Sequence, residues 1–319
     1  MKLKVKNPFP YSDTNKRYYT YDYYLKQKYG TKCRRIPLDG GFTCPNRDGS
    51  RGVGGCAFCS AKGSGDFTSN KKSILEQYEE ISTTLSGKWD ESAKNIPYFQ
   101  SYTGTYAPLE VLRKKYEEAL KIPNIAEFAV ATRADALEDE VILYLEELTK
   151  ETDVMLELGL QSVHDETCKR MNRGHTYAEF LDGYERVRKL APHVRICVHL
   201  IFGLPGEDKE MMTESIRLVS KLKPDAVKLH LLHVLKNTRL ADMYLTGEFE
   251  VMTLESYADM IVCALELLPP ETVICRITGD GMPEELIAPL WSRKKFVVMN
   301  TIDKLMVERN TFQGRLYTK

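Results

Sequence analysis

The sequence predicts an α/β fold: a partial (β/α)6 TIM-like barrel over residues 31–240, with an N-terminal helical extension (1–30) and a C-terminal α/β extension (241–319) packed on the barrel. Three observations predict it. Six apolar runs of strand length alternate with amphipathic segments, the pattern of parallel strands joined by right-handed helical crossovers. Several runs end in polar or glycine-bearing turns, LGLQS (158–162) and IFGLPGED (201–208) among them. With 319 residues, 43% of them hydrophobic, the chain suits one large barrel domain with extensions.

The strands are CRRIPL (33–38), IPYFQSY (96–102), EFAVAT (127–132), VMLELGL (154–160), VRICVHLIF (194–202) and AVKLHLLHV (226–234). Segments 71–88, 108–121, 138–150, 176–191 and 208–222 carry apolar residues near i, i+3, i+4 spacing and read as the helices between them. Past 240, TLESYADMIVCALELLPP and FVVMNTIDKLMVERN read as helices flanking a short strand, VICRIT. Trp291 reads as core by its size. The amino-terminal stretch NKRYYTYDYYLKQKYGTKCRR (15–35) mixes cations with tyrosines. That composition suits phosphate contacts and base stacking, and equally an amphipathic helix that closes the bottom of the barrel with its tyrosines inward.

No run approaches the roughly 18 apolar residues of a membrane span, and MKLKVKNPFPYSD lacks a signal peptide's apolar core. The expectation is a cytoplasmic protein with no membrane partner. The formal net charge is zero, so the field of the whole molecule announces no polyanionic partner, although a local basic patch remains open.

Cysteine usage carries the first chemical signal. Eight cysteines in a cytoplasmic chain are not a disulfide framework, and Cys168, Cys197, Cys263 and Cys275 sit in apolar or helical context as core residues. Cys44, Cys56 and Cys59 differ: they lie in the glycine-rich run GFTCPNRDGSRGVGGCAFCS (41–60), directly after the first strand. In a barrel or an open parallel sheet, ligands collect at the carboxyl ends of the strands, so this loop shares a rim with LGLQS and GLPG. Structural zinc takes four closed ligands, and Cys33, the one candidate for a fourth, stands at the far end of its strand. An iron–sulfur cluster on three thiolates leaves one iron open to a ligand. A cluster fits the trio, with zinc and unliganded thiols as the alternatives.

Cys44-x11-Cys56-x2-Cys59 with Phe58 before the last cysteine, followed in order by ELGLQS, RMNRGHT and HLIFGLPGE, resembles the radical S-adenosylmethionine superfamily. The superfamily's usual spacing is C-x3-C-x2-C; the longer gap is similar to a subgroup that includes the Elongator catalytic subunit. YGTKCRRIPLDGGFTCPNRDG, YFQSYTGTYAP, ATRAD, KLHLLHVLKNT and ICRITGD resemble the small bacterial YtqA/YhcC-like family, over roughly residues 16 to 300.

The resemblance implies that Cys44, Cys56 and Cys59 hold a [4Fe-4S] cluster whose fourth iron binds S-adenosylmethionine, and that one-electron cleavage yields a 5′-deoxyadenosyl radical. It implies cofactor contacts at Phe58, at Tyr102, Thr103 and Gly104 (without the family's common acidic residue), at Gln161 and Ser162 toward the ribose, and at Arg173 toward the methionine carboxylate. Gly203, Leu204 and Pro205 would meet adenine, and Arg133 would face cofactor or substrate. Family members are associated with conversion of 5-carboxymethylaminomethyl to 5-aminomethyl at the tRNA wobble uridine. The implied partners are tRNA, an electron donor such as flavodoxin or ferredoxin, and a downstream methyltransferase.

For the substrate's carboxylate, Lys228, His230 and Arg276 are the expected catalytic group. Strand alternation puts Lys228 and His230 on one inward face. His233, Lys236 and an Arg276–Asp280 pair lie nearby in sequence. A radical enzyme for a small metabolite and a non-catalytic zinc-stabilised binding protein are the competing functions.

Overall fold

The computed structural model describes residues 6–61, 63, 72–85, 92–279 and 283–318, so Asp280 lies outside the described residues. Six strands follow one another in chain order: β1 (Cys33–Leu38), β2 (Lys94–Phe99), β3 (Glu127–Thr132), β4 (Asp153–Gln161), β5 (Arg195–Phe202) and β6 (Ala226–Leu231). A two-residue β7 (Val234–Leu235) then leaves the sheet. β8 (Val273–Arg276) pairs parallel with β6 as the seventh strand, and β9 (Leu286–Ala288) pairs antiparallel with β7. The seventh strand therefore comes from the carboxyl-terminal part of the chain.

The sheet is rolled into a partial barrel. Arg35 on β1 donates to Glu157 on β4 at 2.6 Å, and Lys228 on β6 reaches the Tyr98 hydroxyl on β2 at 3.1 Å. Strands so far apart in sheet order touch through side chains only across a curved interior.

Helices cover the convex face. α1 (Tyr21–Tyr29) precedes the barrel; α2 (Ile74–Leu85), α3 (Leu109–Ala119) and α4 (Asp139–Leu148) fill the first three crossovers. A single short α5 (Asp165–Arg170) comes before α6 (Tyr177–Leu190) and α7 (Lys209–Leu222). Their apolar stripes set the packing: α4 buries Val141, Ile142, Leu145 and Leu148, and α7 buries Met212, Ile216 and Val219. Thr176 and Glu179 form a capping box on α6, and Asp208 accepts from the Met211 amide on α7, each cap contributing about 1 kcal/mol.

Beyond β6 the chain adds α8 (Arg239–Leu245), α9 (Leu254–Leu267) and α10 (Lys295–Glu308), with α9 and α10 packed together. Trp291 is half-buried, its ring 5.7 Å from that of Tyr257 and its indole N–H donating to Met252 O at 3.0 Å.

α1 closes the amino end. Thr20 caps it and Gly30 ends it in the left-handed conformation (φ 74°) that a glycine adopts without strain. The Tyr21 hydroxyl donates to Glu127, the Tyr29 hydroxyl to Asp153, and Arg195 stacks 4.2 Å over Tyr24. Of the two readings of residues 15–35, the structure places these tyrosines in the barrel's closure.

Two expectations shift. The strand expected over 96–102 ends at Phe99, because Gln100–Gly104 turns onto the rim and Tyr102 adopts φ 57°. The run 226–234 breaks after Leu231, where the chain leaves the sheet to form β7. α5, α8, β7 and β9 are too short to show a period in the sequence.

Candidate active site

A cavity of about 290 Å³ opens at the carboxyl ends of the strands. Cys44, Cys56 and Cys59 line its upper wall. Local turns build this wall: the Arg47 amide returns to Cys44 O at 2.8 Å and the Cys59 amide to Cys56 O at 3.0 Å. Two backbone bonds fasten it to the barrel, Ala57 N–H to Met171 O (2.8 Å) and Leu240 N–H to Ala57 O (2.9 Å), while Ala57 packs with Met171, Leu204, Leu240 and Ala288.

The thiols stand among donors and cations. Asn46 Nδ2 lies 3.6 Å from Cys56 Sγ, Arg173 Nη1 lies 3.9 Å from the same sulfur, and Arg47 is hydrogen-bonded to Cys59. Burial, with the neighbouring thiols, pushes the Cys59 thiol up to about 11 despite Arg47. Gly55 is needed here: a Cβ would come within 2.8 Å of the Arg47 guanidinium, and its φ is +76°. Cys33 begins β1 at the other end of the barrel, so it is not a fourth ligand to this set. Three sulfur donors on one wall of the cavity, with Arg47 and Arg173 beside them, fit a cluster bound through three cysteines.

Arg173 reaches the cavity because Gly159 lets it. Its guanidinium donates to Gly159 O, and a Cβ at that position would fall 3.1 Å from Arg173 Nη2 and 2.8 Å from Gln161 Nε2. Gln161 follows at a β-bulge with φ 73°, which turns its amide into the cavity. Arg133 lines the cavity, and its guanidinium is also tied to the surrounding loop. It donates to both Asp135 oxygens (3.0 and 2.7 Å) and to the carbonyls of Arg173 (2.7 Å) and Gly174 (3.1 Å). It therefore clamps the loop that carries Arg173. Burial raises the Asp135 carboxyl, but hydrogen-bonded Arg133 outweighs it and holds the group below the ordinary carboxylate range.

Phe58, Tyr102 and Thr103 line the cavity as expected. Gly104, Ser162, Gly203, Leu204 and Pro205 do not. Gly104 is held at its amide by Ala131 O (2.8 Å), the Ser162 hydroxyl bonds Glu207, and Leu204 is buried in the small apolar cluster beneath the cysteine loop. Ile201 and Leu232 give the cavity an apolar wall near that turn.

The floor is ionic. Lys228, His230 and Arg276 come together there with Glu157, Tyr98, His199 and His233. Glu157 is fully buried and gathers the group: it accepts from Arg35 (2.6 Å), the Tyr98 hydroxyl (2.6 Å) and Lys228, with His199 Nε2 at 3.1 Å. Burial raises its carboxyl, yet Arg35 and Lys228 hold it well below the usual range. Lys228 is brought down to about 8 by burial, with Arg35 and Arg276 opposing its charge. His199 and His233 are brought down to about 4, and His230 well below the ordinary value, by burial and the neighbouring charges. All three are neutral at pH 7. Cys197 Sγ lies within 4.8 Å of the Glu157 and His199 ligand atoms, but with Arg35 and Lys228 on the carboxylate this is an ion network in character. Lys236 bonds Glu285 O through its amide and does not line the cavity.

Sequence reasoning missed Glu157, Tyr98, Arg35 and His199. A signal existed: a carboxylate in the middle of the otherwise apolar run VMLELGL has to be answered by buried cations.

A rolled parallel sheet with a three-thiol loop on its rim and an ionic floor defines a barrel enzyme built around a sulfur-ligated metal group. The chain belongs to the radical SAM superfamily: the superfamily's model matches residues 44–219, and the Radical_SAM C-terminal domain matches 224–308. Membership implies S-adenosylmethionine and a [4Fe-4S] cluster. The chain is 43% identical over 314 residues to "Uncharacterized protein YtqA" of Bacillus subtilis (98% of this chain, 97% of that one) and 36% identical over 287 residues to "Protein YhcC" of Escherichia coli (89% and 90%). It is 27% identical over 172 residues to the tRNA uridine(34) acetyltransferase of Methanocaldococcus jannaschii (51% of this chain, 31% of that one). Among solved structures, Methanocaldococcus infernus Elp3 superposes with a TM-score of 0.65 at 18% identity, over 89% of this chain and 64% of that one. The chain is a radical SAM enzyme with tRNA-modifying relatives. No helix among the described residues is long and apolar enough to cross a membrane.

Proposed function

We infer that this enzyme acts on the C5 side chain of the tRNA wobble uridine, converting 5-carboxymethylaminomethyl to 5-aminomethyl. One observation carries the reading: the cavity beneath the three thiols ends in Lys228 and Arg276 beside a fully buried carboxylate, Glu157, which Arg35 also meets from β1. That floor suits a small side chain ending in an anion. The tRNA-directed names of relatives support the choice of substrate.

Cys44, Cys56 and Cys59 would hold the cluster, which together with S-adenosylmethionine supplies, when bound, a carbon radical able to abstract hydrogen. Arg173 would pair with the methionine carboxylate as a guanidinium fork, and Gln161, Tyr102, Thr103 and Phe58 would line the rest of that ligand. Arg133 serves at one remove, by fixing the loop of Arg173. Lys228 and Arg276 would hold the substrate carboxylate and so bring the methylene between nitrogen and carboxylate into the cavity. In the net reaction the bond between nitrogen and the carboxymethyl carbon would break, and the two-carbon unit would leave as glyoxylate with its aldehyde oxygen from water. Two electrons and one hydrogen would pass to S-adenosylmethionine, giving methionine and 5′-deoxyadenosine, and neutral His230 would accept the remaining proton. A one-electron donor of flavodoxin or ferredoxin type and a methyltransferase that uses the product amine complete the proposal.

The test is a wobble-nucleoside profile by mass spectrometry in a deletion strain. Accumulated 5-carboxymethylaminomethyluridine with loss of the aminomethyl form is the expected result. An unchanged profile overturns the reading.

A further inference from the structure

The mixed cation and tyrosine segment at the amino end is turned toward Glu127, Asp153 and Arg195, at the end of the barrel opposite the cavity. An RNA strand whose modified base enters the cavity needs a surface on the other rim. With 45 basic and 45 acidic residues the chain offers no general positive field, so that surface has to be local.

Residues 290–296, LWSRKKF, form such a surface. They follow β9, which pairs with β7, and Leu235 of β7 lines the cavity. Two residues anchor the turn: Trp291 through its bond to Met252 O, and buried Ser292 through its hydroxyl to Pro289 O at 2.8 Å. The others are displayed. Leu290 is 59% and Phe296 79% exposed, and Arg293, Lys294 and Lys295 are exposed between them. The first turn of α10 carries no acidic side chain. Lys295 links this run to the cavity: its charge acts on Arg276 and on His233, both of which line it.

We propose that Arg293, Lys294 and Phe296 form the docking surface for the RNA strand beside the nucleotide being modified. The cations take phosphates, and the Phe296 ring offers a face on which a flanking base stacks. Charge complementarity alone would also suit an acidic protein; an exposed aromatic face beside consecutive cations favours RNA. The inference rests on the tRNA reading above and adds the surface that reading requires.

The experiment measures binding of a fluorescent anticodon stem-loop RNA to the full-length, cluster-reconstituted protein across a salt series, with heparin as a polyanion that has no bases. R293E/K294E is expected to weaken RNA binding more than tenfold at low salt and to reduce the slope of log K against log salt by about 1.4, two phosphate contacts at about 0.7 each on a single strand. F296A is expected to weaken RNA binding about tenfold and leave heparin binding unchanged. K304E, on an exposed lysine further along α10, should change neither. If both site variants bind RNA within twofold of wild type, the surface assignment is wrong while the tRNA reading stands. If F296A is silent and R293E/K294E lowers RNA and heparin binding alike, the patch is a general anion or acidic-protein surface and the proposal is overturned. If wild type itself binds no RNA, the tRNA reading falls first.

Discussion

The two ends of the barrel treat charge in opposite ways. At the amino end, buried Glu127 meets Tyr21 and Arg195, and burial keeps its carboxyl above the ordinary range, while part-exposed Asp153 meets Tyr29 and Lys28. At the carboxyl end, Glu157 lies fully buried among Arg35, Lys228, Arg276 and three neutral histidines. Among the described residues, buried polar atoms without a hydrogen-bond partner include Asn46 Oδ1, Arg173 Nε, His175 Nε2 and His233 Nε2 on that side, with Ser82, Tyr144 and Asp303 elsewhere. A buried polar atom without a partner costs about 1–3 kcal/mol, and a fold tolerates several together where a ligand is due to satisfy them. The amino end is built for closure, the carboxyl end for occupancy.

The largest effect that sharpens this contrast is at the rim. Cys56→Ala should abolish stable iron incorporation and reductive cleavage of S-adenosylmethionine, because a cluster with two protein ligands is not retained. The same change should move the unfolding free energy of the metal-free protein by no more than about 1 kcal/mol, since the thiol sits in a surface loop. Four irons per chain in the variant, read by iron assay and absorbance, would remove the ligand assignment.

Next comes the floor. Glu157→Gln keeps the shape but leaves Arg35 and Lys228 without their anion, and breaking a buried pair in this way costs about 3–5 kcal/mol. Urea denaturation measures it. A loss under about 1 kcal/mol would mean that water already solvates the floor.

The contrast also explains what the sequence made legible. β1 and β3 match their predicted bounds, β3 because its apolar run leaves little choice of register and β1 because Gly30 and Gly40 punctuate CRRIPL on both sides. The three thiols, Arg173 and Gln161 were legible because motif order fixes them. Glu157 was not, although it stood in plain view within ELGLQS. Which strand residue meets which across a rolled sheet depends on tilt and curl, and a one-dimensional pattern does not carry them. Gly203, Leu204 and Pro205 lie outside the cavity lining, and Leu204 belongs to the apolar cluster beneath the cysteine loop, a packing role that a turn motif does not announce.

Acid pH probes the same floor with a smaller effect. His233 has its folded value near 4, below the ordinary 6.5, through burial and the charges of Arg276 and Lys295; His199 has the same value through burial and Lys228. Between those limits the unfolded chain binds protons that the folded chain does not. The histidine share of the stability is therefore level above about pH 7 and falls as pH drops from about 6.5 toward 4, by about 1.4 kcal/mol per pH unit for each histidine. Glu157, with its folded value depressed, contributes stability above its ordinary value near 4.5 that is lost only at lower pH, so the histidine effect comes first. His233→Asn should remove one proton's share of the slope between pH 6.5 and 4.5 in urea midpoints of the metal-free protein. An unchanged slope would show that His233 is already protonated when folded.

The smallest effect belongs to the amino end and completes the comparison. Lys28 Nζ lies 2.7 Å from Asp153 Oδ1, with both side chains 35% exposed, and Asp153 keeps the Tyr29 hydroxyl when the lysine is removed. An ion pair in that much water gains little over hydration and pays rotamer entropy, so Lys28→Ala should cost less than about 1 kcal/mol, shrinking further in salt. The carboxylate left behind is not stranded, which is the physical difference from Glu157→Gln. Equal losses for the two variants in the same urea titration would mean that the plug and the floor share one buried electrostatic unit running the length of the barrel, and the division of labour between its ends would have to be given up.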